Sequence, residues 1–217
     1  MSAHDIEQVI FDVTSWLLVP VLLATLVALA AVLIELGRVV VEVLQRRERS
    51  LARLEARTSE AEAALFGGDT AKAIRRLDPV SSSARMADTI GALVECAGRA
   101  DWDDWSAKVL ADFDYESMRR LERTRILVRA GPALGLMGTL IPLAPGLAAL
   151  SRGDTAKLSE DLRIAFSVTI LGLFIGAVAF GISLIRDRIY SQDLSDLEFV
   201  AASLGRLSPQ QLAVEPS

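Results

Sequence analysis

Thr139 and Thr169 place hydroxyl groups inside long apolar runs, and that setting raises the first chemical question about this chain. Such a hydroxyl can donate to the carbonyl one turn back, here Gly135 or Ala165, and so serve the helix alone. It can instead face a polar path through an apolar medium, and both readings stand at this point. Other chemistry is sparse. His4 is the single histidine and sits at the extreme N-terminus, so no histidine-based triad or metal site can be built. Cys96 is the single cysteine, which excludes an intramolecular disulfide and a cysteine zinc cage; it reads as a small apolar residue. No carboxylate lies in the middle of an apolar run, for Glu35 and Arg129 stand near run ends, where they can snorkel or pair. Glu160 and Asp161 precede the third run. They read either as solvated charge at a helix start or as the external mouth of a polar path. Nothing here points to an enzyme, a cofactor or a metal.

The elements that must position these hydroxyls are three apolar runs, Trp16–Leu36, Val128–Leu150 and Ile164–Ile185. A run of about 20 such residues spans a hydrocarbon core of about 30 Å. The chain has 217 residues, is 52% hydrophobic and yet 24% charged, so apolar spans must alternate with strongly charged segments. Its net charge of −5 argues against a nucleic-acid partner, which a basic face would bind. The expected fold is an all-α integral membrane protein, three transmembrane helices extended by a cytoplasmic helical bundle.

Charge flanking gives the expected orientation. Residues 1–15 carry no Lys or Arg, whereas Arg38, Arg46, Arg47, Arg49, Arg53 and Arg57 follow the first run. The positive-inside rule then puts the N-terminus outside. The expected order is an external segment 1–15, a first span 16–42, a cytoplasmic helical region 43–127 and a second span 128–150. An external loop 151–162, a third span 163–185 and a cytoplasmic helix and tail 186–217 complete it. The first span lacks the basic start and cleavage site of a signal peptide.

In the charged region, Leu44, Leu51, Leu54, Ala61 and Leu65 predict an amphipathic helix continuing out of the first span. Gly67-Gly68 ends it, and Asp69 can cap a short helix Thr70–Leu77. A helix from about Ala84 to Arg99 follows a loop at Asp78-Pro79 and Ser81–Ser83. Asp101 then offers a cap to a helix that runs into the second span, and Leu194–Leu207 prolongs the third. Trp102 and Trp105 read as bundle packing, or as anchors for a partner.

Inside the spans, small residues at Gly131, Gly135 and Gly138, and at Gly172 and Gly176, allow close helix approach. Pro142 and Pro145 free backbone carbonyls, which favours a helix buried in an assembly or lining a cavity.

Gly135-Leu-Met-Gly138-Thr139-Leu, followed after a loop by Ala165-Phe-Ser-Val-Thr169-Ile-Leu-Gly172-Leu, resembles the paired signatures of the MotA/TolQ/ExbB proton-channel family. Pro132, within Pro-Ala-Leu-Gly, matches a proline of the motor branch. The resemblance implies a homo-oligomeric ring, five copies in the family, around two copies of a single-span partner with a membrane-embedded aspartate. It implies a prokaryotic inner-membrane protein driven by protons, with sodium left open. By the same carry-over Thr139 and Thr169 line the pore, while Gly131, Pro132, Gly135, Gly138, Gly172 and Gly176 pack its helices. An ungapped match puts Ile164 where the TolQ/ExbB branch has a glutamate, which leaves the partner's aspartate as the expected carrier. The rival expectation is a membrane scaffold that recruits proteins through its cytoplasmic bundle without transport.

Overall fold

The computed structural model describes residues 3–46 and 50–207. Among them every regular element is helical: α1 (Ala3–Trp16), α2 (Leu18–Gln45), α3 (Leu51–Phe66), α4 (Thr70–Leu77), α5 (Ala84–Glu95), α6 (Trp102–Ser151) and α7 (Thr155–Leu204). A single 3-10 turn, Asp78–Val80, joins α4 to the loop before α5. Three helical stretches are long and apolar enough to cross a membrane: Gln8–Leu44, Trp102–Ser151 and Thr155–Leu204. The all-α, three-span class is therefore borne out. Two features differ from expectation. Residues 3–16 are helical, as α1, and a turn at Leu17 separates α1 from α2. The connection between α6 and α7 is only residues 152–154, so Lys157, Glu160 and Asp161 lie on α7 itself.

The chain divides into two compact units. Unit one holds the N-terminal segment up to Val41 and Leu121–Ile185. Its core joins Ala28, Val32 and Val39 of α2 to Ile175, Ala179 and Ile182 of α7, with Val128 and Leu134 of α6 packed alongside. Elsewhere on these helices Leu23, Val27, Leu136, Leu140, Phe166 and Ile170 are all exposed, as suits helices whose outer faces meet lipid or other helices.

Unit two holds Glu42–Arg120 and the segment from Arg186 onward. It has its own core, in which Leu54, Leu77, Met86, Ile90, Leu197 and Leu204 are buried together. Local signals explain its short helices. Asp69 accepts from the Lys72 amide at 2.8 Å, and Ser83 accepts from the Met86 amide at 3.2 Å, each satisfying an otherwise orphaned donor. Gly68 adopts φ 73°, which lets the chain reverse after α3, and Gly98 at φ 81° does the same after α5. The latter ends α5 at Glu95 rather than Arg99. Arg99 instead forks onto Asp101, both contacts at 2.8 Å, and its guanidinium lies 5.1 Å from the Trp105 ring centroid. That hydrogen bond holds the Asp101 carboxyl below its ordinary range and the Arg99 guanidinium above its own.

The expected continuous helix from Leu44 to Leu65 is corrected. Helix α2 ends at Gln45, and Ser50 is extended at φ −133°, ψ 117° immediately before α3. Leu44 and Leu51 are exposed; the buried stripe of α3 is Leu54, Thr58, Ala61, Ala64 and Leu65. Thr58 joins an apolar stripe because its hydroxyl donates to the Leu54 carbonyl at 2.8 Å. Trp102 is buried against Gly205, where a Cβ would come within 2.5 Å of the indole Nε1. Trp105 remains exposed beneath Arg99.

Candidate functional site

Helices α6 and α7 are 50 residues each, about 75 Å long, so each far exceeds a bilayer's apolar thickness. Within unit one they approach backbone to backbone. A Cβ added to Gly131 would fall 2.6 Å from the Gly172 carbonyl oxygen and 2.8 Å from the Gly176 nitrogen. One added to Gly172 would fall 2.5 Å from the Gly131 oxygen, and one on Gly138 would overlap Val168. Only hydrogen fits at these positions. Pro132 takes part directly, since a Cβ on Gly176 would meet its ring Cδ at 2.8 Å. Pro132 also has no N–H for the Val128 carbonyl, the first of three such gaps in α6, with Pro142 and Pro145.

The two threonines meet at this contact. Thr169 Oγ1 donates to the Ala165 carbonyl at 3.0 Å within α7 and reaches the Gly135 carbonyl across the pair at 3.3 Å. Thr139 Oγ1 donates to the Leu136 carbonyl at 2.7 Å and lies 3.4 Å from that same Gly135 oxygen. Gly135 makes the crossing reachable, because a Cβ there would already touch the Thr169 backbone at 3.4 Å. Both hydroxyls thus spend their single proton on backbone, and their oxygen lone pairs remain as acceptors. Both residues are half-buried. The arrangement can receive a hydrogen-bond donor while adding no charge of its own.

Glu160 and Asp161, adjacent in sequence, part company in the structure. Glu160 is exposed, whereas Asp161 retains 5% of its surface. Asp161 Oδ1 accepts from Lys157 Nζ at 2.8 Å, while Oδ2 is buried without a hydrogen-bond partner. Gly146 of α6 faces it; a Cβ there would stand 3.5 Å from Oδ2. Sequence reading missed this distinction, although a helical signal exists. Asp161 falls four residues before Ala165 and eight before Thr169, on the face that α7 turns to α6. Ile164, at the position matched to a family glutamate, is half-buried and apolar. Among the described residues no group of His, Cys, Asp and Glu has the arrangement of a metal site.

Three helical stretches long and apolar enough to cross a membrane, two of them packed through glycines, define a polytopic α-helical membrane protein. Residues 108–197 match the model of the MotA/TolQ/ExbB proton channel family. The matched stretch contains both threonines, all five packing glycines and Asp161, which bears out the family resemblance and supports a proton-channel role. No curated protein and no solved structure matches the chain.

Proposed function

We propose that this chain is the ring-forming subunit of a motor driven by the proton-motive force. Copies of it, five by family resemblance, surround two copies of a single-span partner whose membrane-embedded aspartate carries the ion. Thr139 and Thr169 line the path. Glu160 and Asp161 lie at its external mouth, with the N-terminus outside, residues 43–127 and the C-terminus in the cytoplasm, and the chain in a prokaryotic inner membrane. The glycine face of α6 and α7 packs the pore helices. Each proton crossing releases about 2.3 kcal/mol per 100 mV, which the ring and partner convert into relative movement.

One observation carries the reading: the family match covers the segment in which both threonine hydroxyls converge on the Gly135 carbonyl. A partner's protonated carboxyl arriving there would find acceptor lone pairs. The test is native mass spectrometry of the tagged protein from its own membrane, followed by proton flux in vesicles. Five copies with two of a small single-span protein, and flux that needs both, is the expected result. A monomer or dimer bound to soluble proteins, with no flux, would favour the scaffold.

A further inference from the structure

Asp161 is the one buried ionisable residue among the described residues of unit one, and its Oδ2 has no partner. A bare buried carboxylate oxygen is a vacant acceptor that calls for a donor. The groups around it narrow the donor's identity. On α7, Lys157 already serves Oδ1, and Glu160 and Arg163 are exposed. On α6 the facing residue is Gly146, and no ionisable residue occurs from Ala130 to Ser151. Helix α2 has none from Leu18 to Ile34. The α6–α7 turn contributes Arg152 and Asp154, both exposed. Among the described residues no donor lies within hydrogen-bond reach of Oδ2, and Gly146 sets no side chain against it.

We propose that Asp161 is a proton-binding group of this chain itself, with Lys157 as its positioning residue and Gly146 as the residue that keeps a side chain from pressing on Oδ2. The inference rests on the proton-channel reading and deepens it, since that reading expects the carrier on the partner alone. In the step, a hydronium ion at the outer end gives its proton to Oδ2; one O–H bond breaks, one forms, and water is released. Lys157 keeps its charge throughout and turns to solvent while Asp161 is neutral. Onward transfer must use water or the partner's carboxylate, because Thr169 lies about 12 Å further along α7.

The test is acid-minus-base difference infrared spectroscopy on the purified chain in nanodiscs, with carboxyl-labelled aspartate, alongside proton flux of the ring–partner complex. The wild-type chain should show a protonated-carboxyl band that Asp161→Asn removes and Asp161→Glu restores at a glutamate frequency. In assembled complex, Asp161→Asn should lower flux by about 100-fold, the scale of a positioned proton-transfer group. Gly146→Ala, which keeps the carboxylate but sets a methyl against Oδ2, should shift the band and so tests the site even where Asp161→Asn fails to fold. A spectrum that Asp161→Asn leaves unchanged, or a band that responds to sodium rather than pH, overturns the proposal. A wild-type complex without flux but with the Asp161 band refutes the channel and leaves the site; flux without the band does the reverse.

Discussion

The Thr169 hydroxyl of α7 reaches the Gly135 carbonyl of α6 at 3.3 Å, so a pore-candidate side chain doubles as a tie between helices. The tie predicts a separation of effects. Thr169→Val keeps the shape and removes the hydroxyl. It should cost the helix pair only about 0.6 kcal/mol, the average for such bonds in a membrane. Proton flux should nevertheless fall strongly in rings of normal size, and Thr169→Ser should restore it. Flux retained in assembled Thr169→Val would remove the hydroxyl from the path.

Glycine substitutions should sort by what a methyl would meet. Gly172→Ala sets its Cβ 2.5 Å from the Gly131 carbonyl oxygen, whereas Gly181→Ala and Gly37→Ala meet nothing within 4 Å. The first should lower stability by about 1–3 kcal/mol through overpacking. The other two should be neutral or stabilising by up to about 1 kcal/mol, since alanine is the better helix former. Thermal unfolding in detergent, read by circular dichroism, distinguishes them.

In unit two, Arg46 reaches from the end of α2 to the buried carboxylate of Asp193, and also bonds the Ile189 carbonyl at 3.4 Å. Arg46→Met leaves that carboxylate without its guanidinium, and should cost on the order of 3 kcal/mol. The double variant Arg46→Met with Asp193→Leu should recover most of the loss. Additive losses in the double variant would mean that the pair is not coupled.

Ser83 caps α5 through the Met86 amide. Ser83→Ala should destabilise unit two by about 1 kcal/mol, and Ser83→Asp should be tolerated because it offers the same acceptor to the same donor. Hydrogen exchange at the first turn of α5 would report the change directly.

The spans were legible because apolar runs of sufficient length have few alternatives, and the glycine face because its spacing repeats on both helices. Asp69 and Gly67-Gly68 marked α4 and the end of α3 through strong local chemistry. The end of α2 was not legible: the apolar repeat runs on through Leu44 and Leu51, and only tertiary packing moved the buried stripe to Leu54, Thr58 and Ala61. Likewise the positive φ of Gly98 shortened α5 at a residue that sequence could have read either way. For the threonines, sequence offered Ala165 to Thr169, which uses it, and Gly135 to Thr139, which makes its shorter bond to Leu136; it gave no sign that Thr169 also reaches the Gly135 oxygen. Asp161 was placed beside Glu160 as a matched acid because adjacency along the chain hides a rotation of about 100° around the helix.

The backbone contact between α6 and α7 limits which surfaces can slip. Glycines seated against carbonyls have no side-chain layer to yield, and moving one helix along the other by a single residue, about 1.5 Å, would drive Pro132 and Val168 into opposing backbone. The pair is therefore a keyed joint that travels as one part. Against α2 the contact is different in kind, a layer of Val32, Ile175, Ala179 and Ile182 whose methyl groups can exchange neighbours. Small sliding between packed helices belongs to such layers. If the motor reading holds, relative movement within unit one falls on the α2 seam, with α6 and α7 as the piston rather than the bearing.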